Sequence, residues 1–207
     1  IVQHFIPGQY EWFSLAAWAM KYRYQHGLGY PKGNTNWGKD AADPRNAIYE
    51  GRPDPVCPGY AGNAISRCLA GTGPTSWSLN GKESGVYDLV GNAWEWVDML
   101  IGTADHTIDA EYPGAGLVLP TANGNIATLY APTKDGNRSL AADAFSPATV
   151  GSAKAEYDND YYYQATGPRA AIRGGCWDSA ANAGLFSLRV AYAPSHVYNF
   201  IGFRGVC

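Results

Sequence analysis

Only one stretch of this chain carries a helical period, and it lies near the start. Trp12, Leu15, Ala16, Ala19 and Tyr22 recur at three- and four-residue spacing, which gives one apolar face to a helix from about Gln9 to His26. Pro7 and Gly8 precede that segment, and Gly27 and Gly29 stop it, because glycine tolerates the left-handed dihedrals that end a helix. No comparable helical period follows. The chain instead spends 25 Gly and 13 Pro over its 207 residues, so the expected fold is built from short strands and long loops. Loops bury little by themselves. The 14% aromatic content supplies side chains large enough to fill the core of such an irregular domain.

Composition excludes several classes. With 46% hydrophobic and 16% charged residues the chain is too apolar to remain disordered. A net charge of −3 with no basic stripe gives nucleic acid no electrostatic footprint as the main partner. No apolar run approaches the ~18 residues that span a bilayer. The segment from Ile1 to Gln9 lacks the basic start and long apolar centre of a signal peptide. Cys57 and Cys68 bracket a loop containing Pro and Gly, compatible with a disulfide in an oxidising environment or with two separate thiols. There is no CxxC, and no His stands at metal-ligand spacing from a Cys, so a structural zinc site is not expected.

Along the rest of the chain, residues 31–80 read as loop and Gly85 to Asp98 as a compact aromatic segment. Residues 100–168 read as short strands and long loops. Arg169 to Arg173 reads as a strand ending at Gly174 and Gly175. Leu185 to Tyr192 alternates, with Phe186, Leu188 and Val190 facing inward and Ser187, Arg189 and Ala191 facing out. Ile201 to Val206 reads as a final short strand. With no internal repeat and no linker, the expectation is one α+β domain over residues 1–207.

Two segments carry more than secondary structure. One is Gly85-Val86-Tyr87-Asp88-Leu89-Val90-Gly91-Asn92-Ala93-Trp94-Glu95-Trp96. The other opens with Arg173-Gly174-Gly175-Cys176-Trp177 and closes with Ile201-Gly202-Phe203-Arg204. Together with Tyr10-Glu11-Trp12, Pro31-Lys32-Gly33-Asn34 and Gly71-Thr72-Gly73-Pro74, they resemble the formylglycine-generating-enzyme branch of the C-type-lectin fold, in the same order and over most of the chain. Members of that branch begin with strands ahead of the helix, so the resemblance implies that an N-terminal portion is missing from residues 1–207 or is supplied differently.

The enzymes of that branch use a cysteine pair just after the GG-x-W motif. Carried onto this sequence, that pair falls at Ser179 and Gly184, and neither supplies the thiolate that copper chemistry needs. The iron-dependent relatives need a histidine cluster, and His4, His26, His106 and His196 are not spaced as one. No enzymatic activity and no cofactor are expected. Residues 173–204 are similar instead to the variable region of diversity-generating-retroelement proteins. In that family a template rich in Asn codons is copied with errors at adenine, and substitutions scatter over a fixed lectin scaffold.

The resemblance implies a frame of Arg173-Gly174-Gly175, Trp177, Asn182-Ala183-Gly184-Leu185-Phe186, Ala193-Pro194-Ser195 and Ile201-Gly202-Phe203-Arg204. It implies ligand-binding positions at Cys176, Asp178, Ser179, Arg189, Ala191, Tyr192, His196, Tyr198 and Phe200, with Cys176, Arg189, Tyr192, His196, Tyr198 and Phe200 clustered on one exposed face. None of the nine is Lys, Glu, Gln, Met or Trp, the residues such copying of an Asn codon does not yield. The implied partner is a protein or cell-surface molecule, and the implied location a virion or cell surface.

Three further residues have structural readings. Glu95 lies on the opposite side of an extended segment from Trp94 and Trp96, and is expected to hydrogen-bond backbone donors in a core corner. Arg204 is expected to tie loops together through its several donors. Asp158 and Asp160 with Asn159 offer hard oxygens to calcium, although a solvated loop before Tyr161-Tyr162-Tyr163 is the more common explanation of such a cluster. The EPN and QPD triplets of calcium-dependent sugar-binding lectins are absent.

Overall fold

The computed structural model describes residues 9–35, 68, 70–102, 106–112, 114–130, 145–198 and 200–204. Cys57, and with it the Cys57–Cys68 pairing, His4 and Val206 lie outside these residues. The architecture is α+β: one helix, α1 (Gln9–His26), and a seven-stranded mixed sheet. The strands are β1 (Trp94–Ile101), β2 (Gly124–Leu129), β3 (Pro147–Gly151), β4 (Tyr161–Gln164), β5 (Arg169–Arg173), β6 (Leu188–Tyr192) and β7 (Ile201–Gly202). Their order is β3-β2-β4-β6-β5-β1-β7. The β4–β6 and β1–β7 pairs are parallel and the others antiparallel. Pro147 is tolerated because it opens an edge strand, where its missing N–H breaks no ladder.

The helix ends as the glycines require. Gly27 adopts φ +65°, the Gly27 amide donates to the Tyr24 carbonyl, and the Leu28 amide reaches back to the Arg23 carbonyl at 3.0 Å. Its inward stripe is Trp12, Ala16, Ala19 and Arg23. Arg23, rather than the expected Tyr22, completes it, and its guanidinium donates to the carbonyls of Leu28, Gly29 and Ser78. Tyr22 lies half-buried at the side, stacked between Trp18 and His26. Trp12 anchors the helix by donating its indole N–H to the Leu185 carbonyl at 3.0 Å.

The sheet separates two apolar clusters. The larger gathers Trp12, Ala16 and Ala19 with Val97, Met99, Ile126, Tyr162, Ala171, Leu188 and Val190. The smaller holds Trp94, Ile172, Cys176 and Trp177, with Trp96, Tyr163, Tyr192, Phe200 and Ile201 packed against it. Alternation accounts for the division in β4 and β5: Tyr162 and Ala171 enter the larger cluster, and their neighbours Tyr163 and Ile172 the smaller.

The expected strand at Arg169–Arg173 forms over those residues and ends at Gly174 and Gly175, both at positive φ. A Cβ at Gly174 would come within 2.6 Å of the Leu89 carbonyl oxygen, so only glycine fits. The strand expected from Leu185 starts later, at Leu188. Ser187 is fully buried rather than outward, because its hydroxyl donates to the Asn182 carbonyl at 2.6 Å and accepts from the Tyr161 amide. The last strand is only Ile201–Gly202, and Phe203 beyond it is exposed.

One buried acid holds the loop between the short helical turn Ala180–Asn182 and β6. Asp160 accepts from the Tyr30 hydroxyl at 2.7 Å and from the Phe186 amide at 2.6 Å. The Leu185 amide in turn donates to the Tyr30 oxygen at 3.0 Å. Burial pushes the Asp160 carboxyl up to about 7, against the opposing effect of these hydrogen bonds. A carboxyl whose pKa is raised on folding binds its proton more tightly in the folded chain. The stability it contributes is therefore complete below the ordinary carboxylate range and is lost as pH rises through about 7. Asp160→Asn keeps an acceptor oxygen for both donors and removes the titration. Urea unfolding of the native protein is expected to show stability falling between about pH 4 and about pH 7 relative to Asp160→Asn. Parallel pH profiles for the two proteins would contradict this.

Candidate functional site

The face built on the smaller cluster collects most of the residues singled out in 176–200. β6 sets it up through an irregularity. Ile172 pairs with Arg189 and Ala170 with Tyr192, so two steps along β5 match three along β6. The extra residue turns Tyr192 onto the side where Arg189 already lies, an arrangement that a straight strand does not give. The Arg189 guanidinium consequently sits 4.4 Å from the centroid of the Tyr192 ring and 4.9 Å from that of Tyr163, which β4 supplies in parallel register with Arg189.

From Tyr192 the aromatic contacts continue into the following loop. Tyr192 and His196 stack with centroids 4.2 Å apart and planes 1° apart. His196 and Tyr198 stack at 5.9 Å, and Tyr198 meets Phe200 at 4.3 Å. Phe200 closes the group on Tyr192 at 6.2 Å. Backbone bonds hold the loop in shape: the His196 amide donates to the Ala193 carbonyl, the Ile201 amide to the Tyr198 carbonyl, and the Trp94 amide to the Phe200 carbonyl at 2.8 Å. Tyr198 is exposed, and Arg189, Tyr192, His196 and Phe200 are half-buried.

The other positions divide. Asp178 is exposed, and Ser179 and Ala191 are half-buried. Cys176 departs from the expectation of an exposed side chain: it is 2% exposed, packed with Trp94, Ile172 and Trp177. The Cys176 amide donates to the Ser179 hydroxyl at 2.9 Å, and its thiol lies 3.0 Å from an Asp178 carboxylate oxygen. The turn after Gly175 pulls this residue under the loop, where burial pushes the thiol up to about 12. Among the frame positions, Arg173, Trp177 and 183–186 are buried, whereas Pro194, Ser195 and Phe203 are exposed.

Tyr161 and Tyr163 belong to this face and were not identified from the sequence. Their rings lie 4.5 Å apart, and Tyr163 also meets Trp94 edge-on and accepts a hydrogen bond from the Asn182 amide group at 3.0 Å. The available signal was the run Tyr161-Tyr162-Tyr163: in a strand its first and third residues share a face.

Glu95 is buried as expected, but its partner is a side chain. Both its oxygens accept from Arg204, at 2.6 and 3.0 Å, and Arg204 also donates to the Tyr87 carbonyl. Arg204 thus ties the last strand to β1 and to the 85–91 segment. Asp160, from the candidate calcium loop, turns inward to Tyr30 and Phe186, while Asp158 and Asn159 occupy a left-handed turn. Among the described residues no group of three or more His, Cys, Asp or Glu is arranged to hold a metal ion. A separate concavity of about 610 Å³ is lined by Lys32, Thr35, Trp77, Val90, Asp158 and Ala180, among others. Residues 180–182 link it to the aromatic face, since Asn182 reaches Tyr163.

The Ser179 hydroxyl is engaged by the Cys176 amide. A Cβ at Gly184 would fall within 1.7 Å of an Asp160 carboxylate oxygen, so this position admits no side chain without displacing the acid. No family model matches the chain, and no curated protein matches it.

Proposed function

We propose that this chain is a binding protein rather than an enzyme. It takes a protein or cell-surface ligand through Asp178, Ser179, Arg189, Ala191, Tyr192, His196, Tyr198 and Phe200, joined by Tyr161 and Tyr163. In this reading the scaffold is of the C-type-lectin type, and residues 173–204 are a variable region diversified by a retroelement. The observation that carries the reading is the connected Arg189–Tyr192–His196–Tyr198–Phe200 surface. Aromatic and Arg side chains held in place by their neighbours provide contact area and hydrogen bonds with little entropy left to lose. A buried frame beneath them, centred on Arg173, Gly184 and Phe186, supports substitution above it.

Cys176 is not among the proposed contact residues because its thiol is buried. Its elevated pKa and the blocked site at Gly184 also argue against copper-dependent oxidation of a peptide cysteine. Incubation with copper and a sulfatase-type cysteine peptide is expected to yield no aldehyde by mass spectrometry. Aldehyde formation would return the chain to the enzymatic branch.

The diversification half is tested in the DNA beside the coding sequence. The expected arrangement is a near-identical repeat of the segment encoding 173–204, with adenines at the variable codons, next to a reverse transcriptase. An isolated coding sequence would leave a binding protein without diversification.

The division into scaffold and surface is tested by thermal and urea unfolding. Tyr198→Ala is expected to change stability by about 1 kcal/mol or less, as at other surface sites. Tyr192→Ala, which also loses contact with Arg189, His196 and Phe200, is expected to remain near that range. Trp94→Ala removes a side chain that is 1% exposed and is expected to cost roughly 3–5 kcal/mol. Equal losses for Tyr198→Ala and Trp94→Ala would place the tyrosine in the core and end the surface reading there.

A further inference from the structure

Arg189 is set apart by the two tyrosine rings around its charge; Arg169 shares a buried, unpartnered Nε but donates to the Pro168 carbonyl. Arg204 pairs with Glu95, Arg23 gives three hydrogen bonds to carbonyls, and Arg173 donates to the Phe186 and Phe145 carbonyls. The Arg189 guanidinium instead rests over two tyrosine rings, and its Nε is buried with no hydrogen-bond partner among the described residues. Ring faces attract the cation but leave the in-plane N–H donors unused. A planar donor set held between Tyr163 and Tyr192, half-buried and without a carboxylate beside it among the described residues, is organised in advance for a planar anion.

The neighbouring groups narrow the anion. Tyr198, Phe200 and the Tyr192–His196 stack give the rim an apolar character. The one carboxylate among the predicted contact residues, Asp178, sits on the Cys176 turn, and Cys176 packs in the same cluster as Tyr192. One fixed guanidinium, a single positive charge between two rings, suits a singly charged carboxylate better than a dianionic phosphate. Resting on the binding-face reading above, we propose that the partner is a protein presenting an Asp or Glu side chain flanked by apolar residues, and that Arg189 receives that carboxylate. Arg189 would then be the specificity-determining residue of the face, with the aromatics supplying area.

The test is selection of a random displayed peptide library on the whole protein, with the same selection on Arg189→Gln and Arg189→Lys. Melting curves first establish that each variant is folded, and Arg189→Lys keeps the charge should the glutamine variant fail to fold. Peptides selected on the native protein are expected to be enriched in Asp or Glu beside apolar residues. Their affinity is expected to fall about tenfold or more on Arg189→Gln and by less on Arg189→Lys. Tyr198→Ala should also weaken them. Binders that lose affinity on Tyr198→Ala, carry no acidic bias and ignore Arg189→Gln would overturn the carboxylate inference and leave the binding face standing. Selected peptides indifferent to both substitutions, or no selected peptides at all, would overturn both. A second arm follows the Arg189 Nε–H resonance on titration with benzoate and with phenyl phosphate. The larger, saturable shift is expected with benzoate, and a stronger response to phenyl phosphate would overturn the assignment to a carboxylate.

Discussion

The loop of residues 184–187 is clamped between two buried ionisable groups, and much of the described structure is arranged around that clamp. Asp160 accepts the Phe186 amide from one side, and Arg173 donates to the Phe186 carbonyl from the other. Burying either group is costly and requires partners: Arg173 donates to two carbonyls, while one Asp160 oxygen accepts two hydrogen bonds and burial favours the neutral form of its carboxyl. That requirement reaches across the chain. It recruits Tyr30 after the helix, the Phe145 carbonyl before β3, and Gly184, whose missing side chain leaves room for the Asp160 oxygen. Trp12 adds the helix by bonding the Leu185 carbonyl. Helix, sheet and loop thus meet at three consecutive peptide groups, which explains how a chain so rich in loops fixes one arrangement.

The clamp also bears on function because of where it stops. Leu188 and Val190 carry it into the larger cluster, whereas Arg189 and, through the extra residue in β6, Tyr192 face the other side. The residues proposed to contact ligand and the clamp therefore belong to opposite sides of one sheet. Substitutions far apart and without shared partners act nearly independently. On that argument a change at Tyr198 or His196 leaves Asp160 and Arg173 undisturbed.

Local chemistry was legible in the sequence, and long-range pairing was not. The C-terminal end of α1 followed from Gly27 and Gly29, and the end of β5 from Gly174 and Gly175, because positive φ is a property of the residue itself. The inward phase of Leu188 and Val190 followed from alternation. Arg23 was missed in the helix stripe because its burial depends on the carbonyls of Leu28, Gly29 and Ser78. Ser187 was placed outside because alternation does not register the Asn182 carbonyl waiting for its hydroxyl. Glu95 was given backbone partners because its real partner, Arg204, is 109 residues away. In the site, Tyr192, His196, Tyr198 and Phe200 were found from the resemblance and do meet one another, but Tyr163 was passed over because only strand pairing brings it beside Arg189.

Cys176 shows what the pattern of variable and fixed positions leaves out. Its place in the sequence groups it with the surface residues, yet its side chain fills space between Trp94, Ile172 and Trp177. In the proposed scheme a residue there acts on ligand only through what it supports: Asp178 and Ser179 on its own turn, and Tyr192 and Phe200 packed against its cluster. A larger side chain would have to move those neighbours, since packed interiors yield little to added volume. A smaller one would leave a gap under the aromatic face. In the proposed scheme position 176 therefore changes the height and tilt of the contact surface rather than its chemistry, and its tolerated residues are limited by volume, whereas those at Tyr198 are limited by the ligand.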